Sequence, residues 1–127
     1  MSDPRPAASG RRIGLVVGLR PEMEQRYRAL HADPWRGVLE RITRSGIRDY
    51  TIYLARLPDG LYLFSHFVYV GDDLDADLAA IAADEETRRW WKETDPCQIR
   101  LPGTPDGEQW LAAEEVFHHD GRLRAGP

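Results

Sequence analysis

At 127 residues the chain fits one compact domain, large enough to bury a core without disulfides or a structural metal. Its 42% hydrophobic and 30% charged residues are those of an ordinary globular protein, and a net charge of -4 without a basic run argues against a nucleic-acid partner. A single cysteine, Cys97, excludes an intramolecular disulfide and a Cys-rich zinc site, and no apolar stretch approaches the roughly 20 residues that span a bilayer.

Residues 1–11 contain Pro and Arg but no apolar core of the signal-peptide kind, so they are expected to form a disordered N-terminal tail. A single domain over 12–121, a C-terminal tail over 122–127 and a cytoplasmic location complete the expectation. The β-branched run over 12–19 predicts a first strand. Pro21 then opens a helix over 22–30, and Pro34 interrupts it. A second helix is predicted over 35–44, where Trp35, Val38, Leu39 and Ile42 recur at helical spacing; Ser45-Gly46 ends it.

Residues 47–54 predict a strand with Tyr50, Ile52 and Leu54 on one face and Thr51 and Tyr53 on the other. Leu57-Pro58-Asp59-Gly60 is a hairpin turn into an aromatic-rich strand over 61–70. Helices follow over 74–83 and 85–92. Next comes a long Pro/Gly-rich loop over 94–109, of a length that is often functional, and a last strand over 114–118. This order is the split βαβ pattern: an α+β, ferredoxin-like antiparallel sheet with helices on one face. The bare sheet face needs cover. The chain offers no further layer, so a second copy is expected there, making a homodimer.

The sequence contains no Gly-rich phosphate loop, no Ser-centred nucleophile elbow and no His pair at a helical metal spacing. His118 and His119, as neighbours on a strand, would face opposite ways, which argues against joint metal ligation. His31 is more informative. It follows the first helix, four residues after Tyr27, so an imidazole and a phenol share one helix face. Spacing alone is also satisfied by a His that merely interacts with the helix dipole. Trp90-Trp91 cannot both face the core fully; one can pack while the other looks into a cavity, or both can serve an interface. Tyr50 can either fill the sheet or face a ligand. Asp72, Asp73, Asp75 and Asp77 suit helix capping and a solvated surface.

Taken together these segments resemble the L-rhamnose mutarotase family. The stretches that carry the resemblance are Tyr27-Arg28-Ala29-Leu30-His31 with Pro34-Trp35, then Asp49-Tyr50-Thr51-Ile52-Tyr53-Leu54, then Arg89-Trp90-Trp91-Lys92, then Glu114-Glu115-Val116-Phe117. The resemblance implies a dimer of ferredoxin-like α/β subunits forming a dimeric α/β barrel, with no cofactor and no metal. It implies His31 as the proton donor, and Tyr27, Tyr50, Trp90 and Trp91 as sugar-contacting residues. The chain departs from the family pattern in its extra N-terminal residues, in the loop over 71–75 and in Thr94-Asp95-Pro96-Cys97.

The implied reaction opens the sugar ring to an aldehyde, rotates the carbon–carbon bond beside it and recloses the ring on the other carbonyl face. His31 gives a proton to the ring oxygen and takes it back, its ordinary pKa of about 6.5 leaving both protonation states accessible near neutrality. Tyr27 and Tyr50 hydrogen-bond hydroxyls, one of them able to relay the second proton, and Trp90 and Trp91 wall the pocket. The rival readings are a mutarotase for another 6-deoxysugar such as L-fucose, a ferredoxin-like dimeric ligand-binding module, and a cofactor-free monooxygenase.

Overall fold

The computed structural model describes residues 10–123. Most of both expected tails, residues 1–9 and 124–127, lies outside the described residues, while Arg11 already belongs to the first strand. Strand β1 (Arg11–Leu19) leads through a 3-10 turn (Pro21–Met23) into helix α1 (Glu24–Ala32). The helix therefore starts two residues later than predicted, because the first turn after Pro21 winds tightly. Pro34 disfavours helical geometry at Asp33, whose backbone leaves the helical region (φ -142, ψ 70), and α1 ends. Helix α2 (Arg36–Arg44) follows directly and stops at Ser45-Gly46, with Gly46 at φ 83, a left-handed conformation that favours glycine.

Strands β2 (Ile47–Leu57) and β3 (Gly60–Tyr69) form the predicted hairpin. Helix α3 (Leu74–Ala83) is capped by Asp73, which accepts from the Ala76 N–H at 3.1 Å. Helix α4 (Glu85–Thr94) is capped by Asp84, which accepts from the Thr87 N–H at 3.0 Å and from its hydroxyl at 2.8 Å. A second 3-10 turn (Asp95–Cys97) then feeds the two-residue strand β4 (Gln98–Ile99), and β5 (Leu111–Ala113) closes the sheet. The long loop expected over 94–109 therefore begins with the end of a helix, a turn and a strand, and its irregular part is shorter.

The strand order is β2-β3-β1-β4, the ferredoxin-like order, and all pairings are antiparallel. Strand β1 is central. It pairs with β3 along its whole length, and its other edge is shared by β4 at Gly18 and Leu19 and by β5 from Gly14 to Val16. The strand expected over 114–118 is a correction: residues 114–120 carry no strand, and the pairing segment is Leu111–Ala113. Extending the β1–β5 register by two residues sets Glu115 opposite Arg12. There the side chains take over, with Arg12 donating to the Glu115 carboxylate at 2.7 and 2.9 Å. By the same register residues 114–116 lie opposite Ile13 to Arg11, yet only this side-chain pair continues the contact, and Phe117 falls beyond the start of β1.

On the helix-covered face the core falls into two clusters. One gathers Val17, Leu19, Tyr27, Leu63 and Cys97; the other gathers Ile47, Phe67, Tyr69 and Ile81. Between them the packing opens into a cavity.

Candidate active site

The cavity has a volume of about 810 Å³, in the range of small-ligand sites. Its floor is the inner sheet face, Ile13 and Leu15 of β1, Ile52 of β2 and Phe67 of β3. Helices α1, α2 and α4 wall it with Tyr27, His31, Val38, Ile42, Trp90 and Trp91. Strand β4 and the loop beyond it supply a polar side made of Gln98, Arg100 and Gln109 beside Trp110. All five residues singled out in the sequence, Tyr27, His31, Tyr50, Trp90 and Trp91, face this one space.

Helical spacing brings Tyr27 and His31 together, with ring centroids 4.2 Å apart and planes inclined by 29°. The same turn fixes the imidazole. Its Nδ1 lies 2.9 Å from the Tyr27 backbone carbonyl, and a carbonyl can only accept, so Nδ1 carries the proton. That leaves Nε2 as the acceptor. The edge of Trp90 meets the His31 ring at 5.3 Å, and Trp35, at the start of α2, meets Trp90 at the same distance. Burial lowers the His31 pKa below its usual 6.5, only partly offset by the hydrogen bond to the carbonyl, so the ring is neutral near pH 7.

Tyr27 is 5% exposed, and desolvation pushes its phenol well up, so it stays protonated. Gln98 Nε2 donates to its hydroxyl at 3.3 Å. Tyr50 reaches the cavity because β2 bulges. One extra residue sits between Arg48 and Thr51, with Asp49 at φ 54, so Ile47 and Tyr50 both turn inward although they are three apart. The Tyr50 ring packs edge-on against Phe67 at 5.7 Å; the residue is 46% exposed as a whole, and desolvation at the hydroxyl raises its pKa, partly offset by the nearby Ser65 hydroxyl. Tyr53, one strand face away, is 63% exposed on the outside of the sheet.

The two indoles divide as expected in part. Trp90 is buried and packs against His31 and Trp35, while Trp91 is 38% exposed, yet both border the cavity. Sequence reasoning missed Gln98, Gln109, Arg100, Asp95 and Trp110. They lie in or beside the stretch assigned to one long loop; the 3-10 turn carries Asp95, β4 carries Gln98, and the loop between β4 and β5 brings Arg100, Gln109 and Trp110 to the cavity. Burial raises the Asp95 carboxyl pKa. Among the described residues no group of three or more His, Cys, Asp and Glu side chains is arranged to hold a metal ion.

A ferredoxin-like sheet roofed by helices, enclosing an aromatic cavity around one neutral imidazole, defines a small-molecule site capable of acid–base chemistry. The sequence profile of L-rhamnose mutarotase matches residues 12–119, and the chain belongs to the L-rhamnose mutarotase family, whose members are carbohydrate isomerases. It is 31% identical over 110 residues to an L-rhamnose mutarotase from Opitutus terrae, covering 86% of this chain and 98% of that one. An L-rhamnose mutarotase from Lactiplantibacillus plantarum is 26% identical over 113 residues, again with 86% and 98% coverage. The crystal structure of an L-rhamnose mutarotase from Formosa agariphila has the same fold. It superposes with a TM-score of 0.65 at 22% identity and covers 87% of this chain and 99% of that one.

Proposed function

We propose that this chain interconverts the α and β anomers of L-rhamnose, with His31 as the proton carrier. The observation that supports this most is the His31 ring, anchored through Nδ1 to the Tyr27 carbonyl with its Nε2 lone pair left for a ligand in an aromatic cavity. Neutral Nε2 takes the proton of the anomeric hydroxyl. The bond between the anomeric carbon and the ring oxygen breaks, and the imidazolium returns that proton to the ring oxygen. Rotation about the adjacent carbon–carbon bond and the same steps in reverse give the other anomer. The two oxygens are bonded to one carbon, so a single imidazole can serve both.

Tyr27 and Tyr50, both protonated, hold sugar hydroxyls. Trp90 and Trp91 offer flat apolar surface to the sugar ring and to the methyl group of a 6-deoxysugar. The working unit of this reading is a homodimer that covers the outer sheet face. Its location is the cytoplasm, a setting that suits the lone buried thiol of Cys97.

The test is saturation-transfer NMR between the two anomeric protons of equilibrated L-rhamnose, with L-fucose run alongside. Exchange is expected to accelerate, and His31→Ala to lose that gain by a factor on the order of 10² to 10⁴. A His31→Ala protein with full activity would overturn the assignment.

A further inference from the structure

We propose that Gln98 is a positioning residue: it sets the direction of the Tyr27 hydrogen bond so that the phenol must spend its own proton on the sugar. The inference rests on the mutarotase reading of the cavity. Gln98 is 5% exposed, and its backbone is clamped by pairing with Leu19 and by the Arg20 N–H donating to the Cys97 carbonyl at 2.8 Å. A primary amide has one accepting end and one donating end. The accepting end is occupied, because Gln109 Nε2 donates to Gln98 Oε1 at 3.0 Å. The donating end is therefore the one that meets the Tyr27 hydroxyl, at 3.3 Å. A hydroxyl that accepts this bond keeps its single proton free, and the open side of Tyr27 is the cavity.

The chain of bonds runs from Gln109 through Gln98 to Tyr27 and on to a sugar oxygen. Its outer end is fixed as well. Arg100 donates to the carbonyls of Glu108, Thr104 and Pro105 at 2.8, 3.1 and 2.9 Å, which pins the loop that carries Gln109. A polar chain whose inner links are buried and whose backbone is pinned at both ends favours one arrangement over several.

Gln98→Glu tests the direction because it is isosteric. When ionised, the introduced carboxylate offers only acceptors, so the Tyr27 proton turns toward it and away from the sugar. When protonated, the same carboxyl group can still donate as the Gln98 amide does. Relative to the parent at the same pH, we expect kcat/KM for L-rhamnose exchange to fall about tenfold or more where the introduced carboxyl is ionised, and that ratio to recover as the pH is lowered. The parent lacks that limb. Gln98→Met, which removes both ends, is expected to raise KM with a smaller loss.

A second readout does not depend on activity. The side-chain amide signals of Gln98 in a 15N–1H spectrum, identified by their loss in Gln98→Met, are expected to shift in Tyr27→Phe. Unchanged rates, KM and pH profile in both Gln98 variants of an active parent, or an amide that ignores Tyr27→Phe, would overturn the inference. A parent that accelerates no sugar overturns the mutarotase reading instead, whatever the amide shows.

Discussion

His31 and Tyr27 are four residues apart on α1, and this one spacing stacks their rings and ties Nδ1 to the Tyr27 carbonyl. The sequence displayed the pair, because helical neighbours follow from spacing alone. It did not display the tautomer, which depends on a backbone carbonyl at the end of the helix, nor Gln98, which reaches Tyr27 from 71 positions away. The tautomer has a consequence for pH. Burial, the larger influence, lowers the pKa of His31, so the neutral form prevails down to a pH below 6.5. If neutral Nε2 is the form that takes the first proton, the exchange rate is flat near neutrality and falls as the pH drops through the pKa of His31. A rate that instead declines between pH 6 and 8 would make the imidazolium the starting form. Stability follows the same sign. The folded state prefers the neutral ring, so this contribution is complete above the unfolded pKa of about 6.5 and is lost as the pH falls through the lower folded value.

Helix α4, which carries Trp90 and Trp91, is held by a local device that the sequence announces. Asp84 precedes Glu85-Glu86-Thr87 and caps α4; Thr87, 1% exposed, bonds back to it through both its N–H and its hydroxyl. This cap sets where the turn bearing Trp90 and Trp91 sits above the cavity. Asp84→Ala is expected to cost about 1 kcal/mol. For a chain of this length that lowers Tm by a few degrees, on the order of 3–6 °C. It is also expected to weaken sugar-induced quenching of tryptophan fluorescence; a variant with unchanged Tm and quenching would show the cap to be idle. The strands divide differently. The β2–β3 hairpin was legible because its turn residues and its alternation agree, and so were β1 and the helices α2 and α3. Strands β4 and β5 were not. Gln98-Ile99 is too short to show an alternation and Leu111-Ala112-Ala113 has little preference for a strand; both pair because β1 leaves an edge open beside them. Glu114 to Phe117, the better strand former, carries no strand, and its contact with β1 passes to the Arg12 and Glu115 side chains.

At the scale of the whole molecule, the helices cover one face of the sheet and leave the other bare. The register makes that outer face specific. Tyr53 lies opposite Phe64, Phe64 opposite Val16, and Val16 opposite Leu111, so one apolar row crosses β2, β3, β1 and β5 without a break. Tyr53 and Phe64 are 63% and 41% exposed, and beyond the row Val116 and Phe117 project at 95% and 84%. An apolar row across a sheet, with two more large apolar side chains beside it, is what a self-complementary interface requires. The site imposes a different demand, since the cavity lies between the helices and the inner sheet face, on the side away from this row. Assembly and chemistry should therefore separate. Phe64→Asp places a charge in the middle of the row, where a second copy would have to desolvate it. Analytical ultracentrifugation is expected to give the mass of two chains for the parent and of one chain for the variant. The variant should keep its helical circular dichroism and exchange L-rhamnose anomers above the uncatalysed rate. A parent that sediments as one chain at micromolar concentration would remove the second copy from the outer face, and the row would then need another partner. A monomeric variant with its fold intact but no activity would mean that the dimer shapes the cavity across the sheet, through the strands on which Tyr50 and Phe67 sit.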